Sequence, residues 1–138
     1  MVTLIIGKKG SGKTKKLINL VNEAVAESKG NVVCMEKGAK LTYDISHSAR
    51  LINSDQYTIL GYEAFYGFIS GLCAGNYDIT DILIDSTRKI GGYDLAELTQ
   101  FIQKLDKLSG LAGVKVTLSV SLEESDISEE LAAITERV

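Results

Sequence analysis

"GKKGSGKT", Gly7 to Thr14, is the stretch that decides the fold. It satisfies G-x-x-x-x-G-K-[ST] at each fixed position, through Gly7, Gly12, Lys13 and Thr14. Glycines in such a turn let backbone N–H groups close on phosphate oxygens, where a Cβ would obstruct the approach. The candidate phosphate-binding set is therefore Gly7, Lys8, Lys9, Gly10, Ser11, Gly12, Lys13 and Thr14. Lys13 has the reach for β- and γ-phosphates, and the Thr14 hydroxyl suits Mg²⁺. A phosphate cradle does not by itself say whether the phosphate is hydrolysed, transferred or held.

The flanks give the cradle its setting. "VTLII", Val2 to Ile6, is a short apolar run that predicts a buried parallel strand. Beyond Lys13 the period lengthens. Leu17, Ile18, Leu20, Val21, Ala24 and Val25 then make one face of a helix that stops near Gly30. "NVVCM", Asn31 to Met35, predicts a second strand, followed directly by Glu36. Residues 37–48 are polar and turn-rich, and "RLINS", Arg50 to Ser54, reads as a short edge strand.

The stretch from Gly61 to Gly75 has the apolar content of a helix. Gly67 and Gly71 each cost a helix interior about 1 kcal/mol relative to Ala. Close packing of this small-residue face on the sheet is the expected compensation. "DILID", Asp81 to Asp85, predicts a central strand. Asp94 and Glu97 suit a capping pair, with Leu95, Leu98, Phe101, Ile102, Leu105 and Leu108 in the buried stripe and Gly110 and Gly113 at the end. "VKVTLSVS", Val114 to Ser121, is another strand, and Asp126 with Glu129 would cap a short last helix. Strands alternating with helices imply a three-layer α/β/α fold, with a mainly parallel sheet of four to five strands in one domain over 1–138.

In such a sheet ligands meet the carboxyl ends of the strands. Asp85 ends the apolar run Ile82–Ile84 at that edge and is the candidate metal partner of Thr14. The remaining composition narrows the function. The chain has 138 residues, is 45% hydrophobic and 24% charged, and carries a net charge of −3, which does not advertise nucleic acid. The lysines near Gly7 would have their anionic partner in the phosphates that the loop is expected to hold. Cys34 and Cys73 lie in apolar stretches without metal-binding spacing. No segment has the length or apolarity of a signal peptide or membrane helix, so a cytoplasmic protein is expected.

"GKKGSGKT" and "ILID" together resemble the Walker A and Walker B motifs of the P-loop NTPase superfamily, and "IDS" with the long gap between them is similar to its RecA-like branch. The resemblance implies ATP or GTP with Mg²⁺, and weak or partner-dependent ATPase activity. It also implies insertion of the strand Val114–Ser121 between Val2–Ile6 and Asp81–Asp85. By the same resemblance Glu36, just past the second strand, would polarise the attacking water, and Ser119 or Ser121 would sense the γ-phosphate. Arg88 with Lys89 would complete a neighbouring copy's site, so a homo-oligomer or a larger protein partner is implied.

Many relatives place a Glu directly after the Walker B Asp. Here that position is Ser86, which cannot serve as an equivalent base. A nucleotide-holding regulatory or assembly subunit therefore stays open beside an ATPase. A small nucleoside or nucleotide kinase is a weaker fit, because the thymidine kinases of similar arrangement carry a cysteine-rich zinc loop. The Glu36 carboxylate reads equally as a surface charge at a strand end. No strand is expected beyond Ser121.

Overall fold

A computed structural model describes residues Met1–Val138. The elements in chain order are β1 (Val2–Ile6), α1 (Lys13–Glu27), β2 (Asn31–Glu36), β3 (Arg50–Asn53), α2 (Tyr62–Gly75), β4 (Ile79–Ile84), α3 (Thr87–Gly91), α4 (Leu95–Ala112), β5 (Lys115–Val120), α5 (Glu129–Ile134) and β6 (Thr135–Arg137). The strands form one six-stranded sheet in the order β3-β2-β4-β5-β1-β6. All pairs are parallel. Every crossover must then pass over a face of the sheet, and helices cover both faces. The fold is three-layer α/β.

Strand β5 lies between β4 and β1, as expected, with Leu83 paired to Thr117 and Leu118 to Leu4. The alternation of each strand sorts side chains between two cores. Val2, Leu4, Val33, Met35, Ile82, Ile84, Val116 and Leu118 face α2, α4 and α5. Ile5, Val32, Cys34 and Leu83 face α1, where Leu17 and Val21 are fully buried. Leu41, Ile45 and Ala49, from the irregular stretch before β3, extend that second core. This parity has a functional consequence. Glu36, Asp85 and Ser119 continue the rows of Cys34, Leu83 and Thr117, so their side chains emerge on the α1 side.

Four expectations are corrected. First, the sheet has six strands, because Thr135–Arg137 returns to pair with β1 and covers an edge that the sequence left open. The segment is too short to show any period. Its anchoring is local: Thr3 Oγ1 donates to Glu136 Oε1 at 3.1 Å, and Val138 N–H donates to Leu4 O at 3.2 Å. Second, Gly67 and Gly71 do not pack on the sheet, since a Cβ at either would meet no atom. The buried face of α2 is Tyr62, Phe65, Ile69 and Cys73, with Phe65 stacked on Phe101 of α4 at 4.7 Å between ring centres.

Third, Gly110 lies inside α4. The helix ends at Gly113, whose φ of 67° is the left-handed conformation that a glycine adopts without a Cβ penalty. Asp94 does cap its start, accepting the Glu97 N–H at 2.9 Å. Fourth, Ser128 caps α5 by accepting the Leu131 N–H at 3.2 Å. Asp126 instead belongs to a 3-10 turn, where it accepts the Glu123 N–H.

Candidate functional site

The loop between β1 and α1 is built to leave N–H groups open. Helix α1 starts without a side-chain cap, and Gly12 stands at its N-cap with φ 89°. Its first intrahelical bond is Lys16 N–H to Gly12 O, so the donors ahead of it have no helical partner. A helix start of this kind, fifteen residues long, presents open donors together with the positive dipole end, a combination that suits an anion. Gly7 has a specific reason to lack a Cβ, because one there would collide with the Ser11 hydroxyl. Lys13 Nζ arches over the loop and donates to Lys8 O at 2.8 Å. Burial lowers the Lys13 pKa from its ordinary value, against an opposing pull from the Asp85 charge.

Asp85 meets this loop because it follows β4 with the parity of Leu83, toward α1. Thr14 Oγ1 donates to the Asp85 carboxylate, 3.1 Å from both oxygens. Asp85 is held from the other side too. Ser119 Oγ donates to Oδ1 at 2.8 Å and itself accepts the Ser86 N–H at 2.7 Å, while Ser86 Oγ donates to Oδ2 at 3.2 Å. Ser86 adopts φ 51°, a strained conformation for a residue with a Cβ, and one that its bonds to Ser119 and Asp85 sustain. The Ser119 hydroxyl is thereby occupied. It is 1% exposed and positions Asp85, and of the two serines only Ser121 lines the larger cavity described below.

Glu36 enters the same neighbourhood. Together with Thr14, Lys37, Lys40, Leu41, Asp85 and others it encloses a small cavity of about 90 Å³. It is no surface charge, being 3% exposed. Its Oε1 accepts the Lys40 N–H at 3.0 Å and its Oε2 accepts the Leu41 N–H at 2.9 Å. Burial pushes its carboxyl pKa up. Those two N–H bonds work against the rise, and the Asp85 charge adds to it. The remaining lone pairs of each oxygen stay available for a further donor.

No family model and no curated protein matches this sequence. Solved structures do. One is the pCW3 conjugation coupling protein TcpA, in its monomer form with ATPγS, at 15% identity and TM-score 0.56. Another is C. elegans PCH-2, at 17% identity and TM-score 0.55. The matches cover 96% and 99% of this chain but only 46% and 34% of those proteins, so it spans less than half of either. The likeness is one of fold.

A second cavity, of about 490 Å³, opens across the loop. One wall is Lys9, Gly10, Gly12, Lys13 and Thr14, and the other is Ser86, Arg88, Lys89, Tyr93 and Ser121. Arg88 and Lys89, read from sequence as reaching a neighbouring copy, line this cavity of the chain. The Arg88 guanidinium is fastened internally, donating from Nη1 to Ser121 O at 2.8 Å and from Nη2 to Tyr93 O at 2.5 Å. Tyr93 went unnoticed in the sequence because a lone aromatic between Gly92 and Asp94 has no periodic neighbours.

The donor set suits Mg²⁺. One hydroxyl and one carboxylate converge at Thr14 and Asp85, both hard oxygen donors. No group of three or more His, Cys, Asp or Glu side chains forms a metal site. Sparse protein ligation, completed by water and phosphate oxygens, is the Mg²⁺ habit. No helix is long and apolar enough to cross a membrane.

Proposed function

We propose that this chain binds a nucleoside triphosphate, ATP or GTP, with Mg²⁺ at Gly7–Thr14, and that it hydrolyses the nucleotide weakly or in response to a partner. The observation that carries this reading is the contact of Thr14 Oγ1 with both oxygens of Asp85, directly beside the uncapped start of α1. Backbone N–H groups of the loop would receive the phosphates, and Lys13 would turn from Lys8 O toward the β- and γ-oxygens. Thr14 and Asp85 would hold Mg²⁺, which when bound neutralises charge on the phosphates. Ser119 and Ser86 fix the Asp85 carboxylate for that purpose. Glu36 accepts a proton from the attacking water, a task helped by its raised pKa.

One observation favours a second reading, a nucleotide-holding regulator or assembly subunit without turnover. Both Glu36 oxygens already brace the Lys40–Leu41 backbone, and Ser86 offers no substitute base. Titration with Mg-ATP and Mg-GTP, followed by single-turnover hydrolysis, separates the two. The Lys13→Ala protein should keep its melting temperature and lose nucleotide affinity by at least tenfold. A folded Lys13→Ala chain binding as tightly as the parent refutes nucleotide binding at this loop. Tight binding by the parent with no turnover selects the regulator.

A further inference from the structure

Four basic side chains, Lys9, Lys13, Arg88 and Lys89, line the 490 Å³ cavity, and no carboxylate lines it. None of the four has a carboxylate partner. The ion pairs of the chain are Met1–Asp106, Lys8–Glu123, Lys37–Asp55 and Arg137–Glu124. Arg88 has the most contacts that hold it in place. Two main-chain carbonyls hold its Nη atoms, its guanidinium carbon lies 5.1 Å from the centre of the Tyr93 ring, and its Nε is buried without a hydrogen-bond partner. A partly buried guanidinium is thus fixed in place while its charge remains uncompensated. A guanidinium that lines a cavity without an acidic partner suits an anionic ligand there.

The identity of that anion follows from the two walls. In a loop of this pattern the backbone embraces the inner phosphates, while Lys13 and Thr14 mark where the outermost phosphate and its metal lie. Lys13 and Thr14 form one wall of the cavity, and Arg88 stands on the other. A diphosphate would end near the loop, whereas a triphosphate would extend its terminal phosphoryl group into the space between. We propose that Arg88 recognises the γ-phosphate of the chain's own nucleotide and so discriminates triphosphate from diphosphate. This rests on the nucleotide reading of the Gly7–Thr14 loop. Each Nη spends one of its two N–H groups on a carbonyl and keeps the other, and Arg88 lines the cavity of its own chain's loop.

The test measures the affinity of Mg-ATPγS and of Mg-ADP for the parent, Arg88→Ala and Arg88→Lys, with thermal melting as the check on folding. Arg88→Ala should lose on the order of 10- to 100-fold in ATPγS affinity, the scale of hydrogen bonds to a charged group. ADP affinity should change less than twofold. Arg88→Lys should recover part of the difference, since it keeps the charge but not the planar fork. Equal losses for both nucleotides assign Arg88 a purely structural role and overturn the proposal. An unchanged ATPγS affinity in a folded Arg88→Ala chain overturns it as well. In either case ADP binding that depends on Lys13 leaves the nucleotide reading standing. If the parent binds neither nucleotide, that reading and this proposal fall together.

Discussion

Glu36 has two occupations, and a single atom change separates them. Its carboxylate braces the loop through the Lys40 and Leu41 N–H groups, and it also borders the small cavity shared with Thr14 and Asp85. Gln keeps one acceptor and turns an NH₂ toward a backbone donor, so Glu36→Gln should destabilise the fold by about 1–3 kcal/mol. If Glu36 is also the base, Mg-nucleotide affinity should persist while turnover falls by on the order of 10²–10⁴-fold. The pH profile gives an independent reading. Burial raises the Glu36 pKa, and a base works only when ionised, so parent turnover should climb with pH through a value above an ordinary Glu. That rising limb should vanish in Glu36→Gln. A profile unchanged by the substitution assigns Glu36 to the loop alone. The sequence placed Glu36 correctly at the strand end. It could not reveal the two backbone N–H bonds, because Gly38 in "EKGAKL" permits a turn, at φ 100°, without specifying which N–H groups it brings back to the carboxylate.

At the scale of the element, legibility followed length and period. Helices α1 and α4 and the buried strands carry repeating apolar positions over many residues, and each formed where its pattern lies. Helix α3 and strand β6 have five and three residues, too few to show a period of either kind. Helix α2 was misread in a more instructive way. Its glycines at 67 and 71 suggested close packing, yet they face outward while Phe65 and Ile69 fill the interior. Nothing in the fold offsets their helix cost. Gly67→Ala and Gly71→Ala should therefore each stabilise the chain by about 0.5–1 kcal/mol, read as a shift in urea midpoint at constant slope. Gly91→Ala is the contrast. A Cβ there would strike the Tyr62 ring, whose hydroxyl is anchored at 2.7 Å to Gly92 O, so that variant should lose stability. Destabilisation by Ala at 67 or 71 would mean that this face packs against something after all.

For the molecule as a whole, the parity of the parallel strands brings distant residues to one edge, and the same parity buries what lies beneath them. Cys34 sits one pleat repeat below Glu36, in the core between the sheet and α1, and is fully buried. Burial raises its thiol pKa to about 12 from an ordinary 9.0, with the Glu36 and Asp85 charges adding to the rise. In the unfolded chain the thiol ionises near the ordinary value, while the native chain holds its proton. The native state then binds more protons between those two values, so stability is full below about pH 9 and drains away as pH rises toward 12. Each pH unit in that window costs about 1.4 kcal/mol from this group. Tyr62, raised to about 12 chiefly by burial, and Cys73, raised in the same direction, add to the alkaline loss, while the lowered pKa of Lys13 opposes it. Comparison of parent and Cys34→Ala cancels those other groups. At pH 8 the Ala variant should be the less stable, because it leaves a void under β2. At pH 10.5 that penalty should shrink by about 2 kcal/mol, as the parent alone carries the thiol's ionisation cost. Urea unfolding of both proteins at the two pH values measures the difference. A penalty that does not change with pH would show that the Cys34 thiol ionises as readily in the fold as outside it.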